Sequence, residues 1–385
     1  YVSNLHGADW DAVYKEFQPL VAHVRHGADM TYLLDNMGAE TSVGHSFTND
    51  GDLPEIADNR TGLLGADVEA TDKGYRFSRI YRGENWYPAD QGSAPLALYP
   101  QVKAGQYLLA VNGKPLDNKA NFYQAFQGTL GKQTRLSISP DGSDKKAFEV
   151  TVVPTASEQA LRRNAWVEDN RKRVDEASGG KLAYVWVPDT GENGFSYFNR
   201  YFFAQNQRQG VIIDERFNHG GYIAEYIIDV LRRERNGYFN NQMAGDHPMT
   251  SPGSGIWGPK VMLINEVSGS GGDMLPYMFR YYQVGKLVGK RTWGGLVGIW
   301  GVPSLMDGGH ITAPRSGFFS IDGQWRVENE GVAPDVEVEQ WTKDTAKGID
   351  PQLEKAIAIA LDELKSAAPV KLPQPADPVR VPQVK

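Results

Sequence analysis

The sequence has no cysteine, which removes thiolate nucleophiles, thiolate metal sites and disulfide frameworks from consideration. No apolar run approaches the ~20 residues that cross a bilayer, and none reads as a signal peptide, so no membrane span is expected. Positive charge is not in excess either: 40 Lys and Arg stand against 47 Asp and Glu, a net charge of −7. A nucleic-acid binder would normally present a basic face, so nucleic acid is not an expected partner. The short basic cluster Arg232-Arg233-Glu234-Arg235 closes a predicted helix, where it complements the helix dipole. The chain begins at Tyr1 rather than Met, which suggests a processed or excised piece of a longer protein.

What is present belongs to a folded chain. With 41% hydrophobic and 23% charged residues over 385 positions, two or three separate cores are expected. Trp10, Val13, Phe17, Leu20, Val21 and Val24 recur at helical spacing, and a second helix is predicted from Met30 to Met37, before Gly38. A polar loop carrying Thr41-Ser42-Val43-Gly44-His45-Ser46-Phe47 follows. From residue 62 to 155 the pattern changes to short β-like runs, at Tyr75 to Ile80, Gln106 to Val111, Thr134 to Ser139 and Phe148 to Val153. A helix is predicted at Lys119 to Phe126. The Asn112-Gly113 pair marks a tight hairpin turn. This stretch resembles a PDZ domain, and Gly62-Leu63-Leu64-Gly65-Ala66 looks like the loop whose backbone N–H groups receive a peptide carboxylate. A different small β-rich domain is the alternative.

After a helical connector, Ser157 to Ala177, strands at Leu182 to Val187, Val211 to Asp214 and Val261 to Asn265 alternate with three helices. These span Phe195 to Gln205, Tyr222 to Arg233 and Met274 to Tyr282. That order predicts βα units around a buried sheet. A helix from Pro351 to Leu364 closes the fold, ahead of a Pro-rich extended tail over 367–385. The expected domains are an N-terminal helical subdomain over 1–61, a PDZ-like domain over 62–155 and an α/β core over 156–366.

Two strand-to-helix turns share one design, Ile213-Asp214-Glu215-Arg216-Phe217-Asn218-His219-Gly220-Gly221 and Ile264-Asn265-Glu266-Val267-Ser268-Gly269-Ser270-Gly271-Gly272-Asp273. Glycines let the backbone approach a ligand, and free N–H groups at a helix start attract negative charge. Either turn alone is more commonly an ordinary helix cap. On adjacent strands the pair can supply two donors to one oxyanion, with the Ser270 hydroxyl beside it. Such a serine needs a base. Of seven histidines, His6, His23 and His26 sit with the first helices, and His247 and His310 lack supporting neighbours. His45 and His219 remain, and spacing alone does not separate them. Glu328 is a candidate orienting acid, with surface solvation as its other reading.

With these residues in place the chain resembles the catalytic half of a tricorn-type serine peptidase, a group related to the tail-specific, C-terminal processing peptidases. The most specific stretches are Gly285-Lys286-Leu287-Val288-Gly289-Lys290-Arg291-Thr292-Trp293-Gly294-Gly295 and Val327-Glu328-Asn329-Glu330-Gly331-Val332-Ala333-Pro334-Asp335-Val336. The resemblance implies an α/β fold with a crotonase- or Clp-like core, an inserted PDZ-like domain and an N-terminal helical subdomain. It implies Ser270 as nucleophile, His45 as base and Glu328 as acid, with the N–H groups of Gly221 and Gly271 as oxyanion hole. His219 then takes a position usually held by glycine and, with Gly220, lines the cleft. The sister branch uses a lysine base at the position of Gly295, where this chain has none. Lys290 lies five residues too early. Two departures stand out: Gly44 replaces a serine that helps hold the histidine, and Phe239 replaces an acidic residue that recognises basic side chains. Cleavage after Lys or Arg is therefore not expected to be preferred. The resemblance further implies no metal or organic cofactor and peptides or unfolded polypeptides as substrate. It also implies homo-oligomers, located in the prokaryotic cytoplasm or exported to the periplasm. The alternatives are an inactive PDZ-containing scaffold that binds peptides and, more distantly, a crotonase-type acyl-CoA enzyme.

Overall fold

Short apolar runs are too short for helices and assemble instead into one buried parallel sheet. In the computed structural model its strands are Leu182–Trp186, Gly210–Asp214, Lys260–Ile264, Lys286–Gly289 and Val336–Glu337, adjacent in that order and parallel throughout. The structure describes residues 1–49, 51–53, 60–83, 94–240, 248–299, 303–367 and 375–381. His247 and most of the Pro-rich tail lie outside the described residues.

Two compact units divide the chain. One combines residues 1–54 with 171–385, and the other holds 55–170. In the first, every residue of Leu182–Trp186 and Gly210–Asp214 is buried, as a sheet covered on both faces requires. Helix Pro351–Ser366 packs along four of the five strands, Glu192–Ala204 covers the first, and Ala224–Leu231 packs on Gly271–Tyr281. The N-terminal segment joins this unit through a short antiparallel pairing of Thr48–Asn49 with His310–Ile311. The expected first helix stops early, at Phe17, and continues as a 3-10 helix, Gln18–His23. Pro19 lacks the N–H that an α-helix interior needs. The second helix is longer than expected, Gly27–Ala39.

Antiparallel strands make the second unit, in the order Ala66–Thr71, Gly74–Ile80, Tyr107–Val111, Thr134–Ser139 and Phe148–Val152. The two-residue turn Asn112-Gly113 returns the chain to Lys114–Pro115, with both turn residues at positive φ (50° and 79°) as that hairpin demands. Phe77, Leu96, Phe126, Leu136 and Ile138 form the core. The helix expected from Lys119 reduces to a 3-10 turn, Phe122–Phe126, capped by the Asn121 side chain. Strand Ala66–Thr71 escaped the sequence reading although it alternates, because two of its three apolar positions are alanines and two of its polar ones are Asp67 and Glu69, residue types of low β-propensity.

Candidate active site

The turns that carry Ser270 and Gly221 follow two neighbouring parallel strands, so both leave the sheet at its C-terminal edge. They are cross-linked along their length. The Gly269 N–H donates to Asn218 O at 2.9 Å, the Phe217 N–H to Asn265 Oδ1 at 3.0 Å, and the Ser268 hydroxyl to Glu215 O at 3.0 Å. Asn218 Oδ1 accepts the Gly220 N–H at 2.9 Å and bends the first turn toward the second. A Cβ added to Gly220 would lie 2.6 Å from Ser270 Cβ, and one on Gly271 would run into Thr190 Oγ1 and the Gly221 carbonyl. Glycine is therefore required by close approach at both places. Among the described residues neither the Gly221 nor the Gly271 N–H donates a hydrogen bond. The two lie side by side: a Cβ on Gly271 would be 2.7 Å from Gly221 N.

Ser270 caps helix Gly271–Tyr281 with φ 58° and ψ −117°, a backbone that L-residues rarely adopt. Strain of about 1–3 kcal/mol is typical of such positions. Two acceptors share the Ser270 N–H and hold it there, Asp273 Oδ2 at 2.8 Å and the Gly295 carbonyl at 3.0 Å. The fully buried Asp273 also accepts the N–H groups of Gly294 (2.8 Å) and Gly295 (3.1 Å). Burial raises its pKa while those hydrogen bonds pull the other way. Asp273 was missed in the sequence; its signal is an acid three residues after a serine at a helix start.

His45 is brought to the same place from the other end of the chain. Thr312 Oγ donates to the His45 carbonyl at 2.8 Å and accepts the Phe47 N–H at 2.7 Å, while Asn329 Nδ2 donates to Ser42 O at 2.8 Å. The imidazole is 8% exposed and stands edge-on to Trp293, ring centroids 5.2 Å apart. Trp293 in turn lies over three glycines. A Cβ on Gly269 would be 2.6 Å from its ring, one on Gly44 would be 3.2 Å away, and one on Gly295 would collide with it. The indole thus accounts for glycine at Gly44, one of the two departures, and at Gly295, where the sister branch carries its lysine.

Glu328 takes its hydrogen bonds from the backbone. Its Oε1 accepts the Gly44 N–H at 2.8 Å, and Oε2 accepts those of Leu296 and Val297 at 2.7 and 2.8 Å. Three backbone donors thus clamp the carboxylate beside the histidine, and no hydrogen bond joins it to His45. His45 Nδ1 is buried without a hydrogen-bond partner among the described residues. Burial lowers the His45 pKa, and the Glu328 charge raises it by a smaller amount. The two residues before and after Glu328, Val327 and Asn329, both have positive φ (77° and 62°), an unusual backbone for a buried β-branched valine.

His219 stays on the first turn beside Gly220. Its side chain is exposed and forms no hydrogen bond among the described residues. Phe239 is not brought to Ser270. It pairs with Met249 in a short antiparallel ladder and lines a cavity of about 1110 Å³ with Gln209 and Gly258. Those two residues precede strands Gly210–Asp214 and Lys260–Ile264, so the cavity lies at the opposite edge of the sheet from Ser270. Among the described residues no group of three His, Asp or Glu is placed to hold a metal ion.

Behind the turns lies a set of buried polar groups the sequence reading did not single out. Arg216 is 3% exposed and makes bidentate contacts to Asp214 (2.9 and 2.7 Å) and to Asp350 (3.0 and 2.9 Å), the N-cap of helix Pro351–Ser366. Glu215 is fully buried, and neither carboxyl oxygen has a hydrogen bond of ordinary geometry, although Asn218 and Ser268 stand close enough to oppose the rise in its pKa; Thr190 Oγ1 is orphaned. Burial first, then the nearby Asp273 and Asp214 charges, hold Glu215 well above the usual carboxylate range.

Comparison with known proteins agrees in extent and order. The profile of peptidase family S41 matches residues 181–338, that of the tricorn protease PDZ domain residues 62–155, and that of the tricorn protease C1 domain residues 1–39. Tricorn protease homolog 1 of Streptomyces coelicolor is 37% identical over 373 residues, covering 96% of this chain and 34% of its own length. The tricorn protease of Thermoplasma acidophilum is 31% identical over 356 residues, 92% of this chain and 33% of that protein. A crystal structure of the tricorn protease superposes with a TM-score of 0.85 at 30% identity, covering 92% of this chain and 34% of that one. The chain thus spans about a third of the length of the curated relatives it matches.

Proposed function

We propose that this chain, which belongs to the tricorn proteases of peptidase family S41, hydrolyses peptides or unfolded polypeptides with Ser270 as nucleophile. The observation that carries this reading is the pair of unengaged N–H groups, Gly221 and Gly271, set side by side next to a strained serine. That is the arrangement that stabilises the oxyanion of a tetrahedral acyl intermediate. His45 takes the Ser270 proton during attack and returns it to the leaving amine. Glu328 favours the imidazolium through its charge, and an acyl-enzyme is then hydrolysed by water. A selecting role for Phe239 has no support in the geometry of a single chain.

The parallel five-stranded core fits a crotonase- or Clp-like description. We assign residues 1–61 and 156–366 to the catalytic subdomains, 62–155 to the PDZ domain and 367–385 to a tail, with self-association into homo-oligomers.

The test is labelling by a fluorophosphonate probe together with turnover of a peptide library. Wild type is expected to label at Ser270 and to cleave, and Ser270→Ala is expected to lose roughly 10⁴- to 10⁶-fold in kcat. Comparable cleavage by both proteins overturns the assignment. A folded wild type that neither labels nor cleaves would instead identify a peptide-binding scaffold.

A further inference from the structure

The loop Gly62-Leu63-Leu64-Gly65-Ala66 stands in the PDZ domain where backbone N–H groups are expected to receive a peptide carboxylate. Four of its five donors, all but the Leu64 N–H, are engaged. The Gly62 N–H donates to Phe126 O at 3.1 Å and the Leu63 N–H to Thr155 O at 2.8 Å, which fix the start of the loop. The Gly65 and Ala66 N–H groups both donate to Glu158 Oε1, at 2.6 and 3.3 Å. Glu158 is 8% exposed. Its other oxygen accepts from Arg162 Nε at 2.9 Å and Nη2 at 2.5 Å. Arg162 also reaches Asp67 Oδ1 at 2.6 Å and lies over the Tyr81 ring, while Tyr81 donates to Asp67 Oδ2 at 2.7 Å.

The strand leaving this loop, Ala66–Thr71, pairs on one side only among the described residues, with Gly74–Ile80. A peptide adding to its open edge would bring its terminal carboxylate to the Gly65 and Ala66 donors. A carboxylate of the chain itself is bound there, with a guanidinium neutralising it. We propose that Glu158 is the resident ligand of this loop, and that the PDZ domain takes a free carboxylate, such as a polypeptide C-terminus, only when Glu158 is withdrawn. An incoming carboxylate competes with a tethered one at high effective concentration. It must also leave Glu158 and Arg162 with poorer partners than they have.

Glu158→Ala in the intact chain empties the loop but keeps two N–H donors and the Arg162 guanidinium, a site that fits acetate. Two readouts apply, neither of which depends on Ser270. One is the melting temperature with sodium acetate against sodium chloride. The other is fluorescence polarisation of a randomised decapeptide pool with free C-termini against the same pool amidated. The variant is expected to gain a saturable, acetate-specific rise in melting temperature, even if the substitution has destabilised it. It is also expected to bind the free-carboxylate pool roughly 10- to 100-fold more tightly than the amidated pool, the worth of a charge-assisted hydrogen bond. Wild type is expected to show neither effect. Wild-type binding as tight as the variant's, or a variant that gains no carboxylate-dependent effect in either readout, overturns the proposal.

Discussion

Ser270 is held in a backbone conformation that only glycine adopts freely, so activity and stability oppose each other at this one residue. Ser270→Gly and Ser270→Ala should both be inactive, but the glycine variant should be the more stable by about 1–2 kcal/mol in denaturant titration, because it relieves the φ strain. Equal stabilities would show that the strain is not stored there. His45 makes the second prediction at this scale. Burial against Trp293 and Phe47 lowers its pKa below the ordinary 6.5, so the acid limb of kcat/KM should fall below that pH. Since the Glu328 charge pulls the pKa upward, Glu328→Gln should move the limb to still lower pH and reduce kcat roughly 10- to 100-fold. Ser270, His45 and Glu328 were legible as residue types in the sequence. The lack of a Glu328–His45 hydrogen bond was not, because it depends on where three backbone N–H groups from Gly44, Leu296 and Val297 happen to point.

At the scale of elements, the two glycine turns were visible as a repeated strand–turn–helix pattern, and the structure sets them on adjacent parallel strands. What supports them was not visible, since nothing in the spacing of Arg216, Asp273 and Asp350 shows that they are buried together. Breaking the Arg216 pairs by Arg216→Ala leaves Asp214 and Asp350 buried and uncompensated, and should cost about 3–5 kcal/mol in unfolding free energy. Glu215 acts in the opposite sense. Its folded-state pKa is raised by burial and by Asp273 and Asp214. Its contribution to stability is thus fully present below the unfolded carboxylate range and is lost as pH rises toward the folded value. Glu215→Gln removes that dependence, so its melting-temperature advantage over wild type should grow from pH 5 to pH 8. A constant difference would count against a raised pKa. Trp293 imposes another constraint at this scale. Gly295→Lys, which would install the sister branch's base, must displace the indole from Gly44 and Gly269, and it should abolish hydrolysis rather than switch its mechanism.

In the whole molecule, the first 54 residues and the last 215 form one unit, with the PDZ domain between them in sequence only. The order of these parts was legible because each has its own periodicity. The stitching between them was not, because the pairing of Thr48–Asn49 with His310–Ile311 and the Gly44–Glu328 bond join segments with no local signal. Such long-range contacts form late in folding, after the entropy of closing the intervening chain has been met. The bond from Gly44 to Glu328 spans 284 residues of sequence. At ribosomal rates of about 5–20 residues per second, that stretch takes roughly 15–60 s to make. During that interval His45 has emerged without Glu328 beside it and, for most of it, without Ser270. If these three residues act as proposed, the order in which they leave the ribosome keeps the site incomplete until synthesis of this stretch is nearly over.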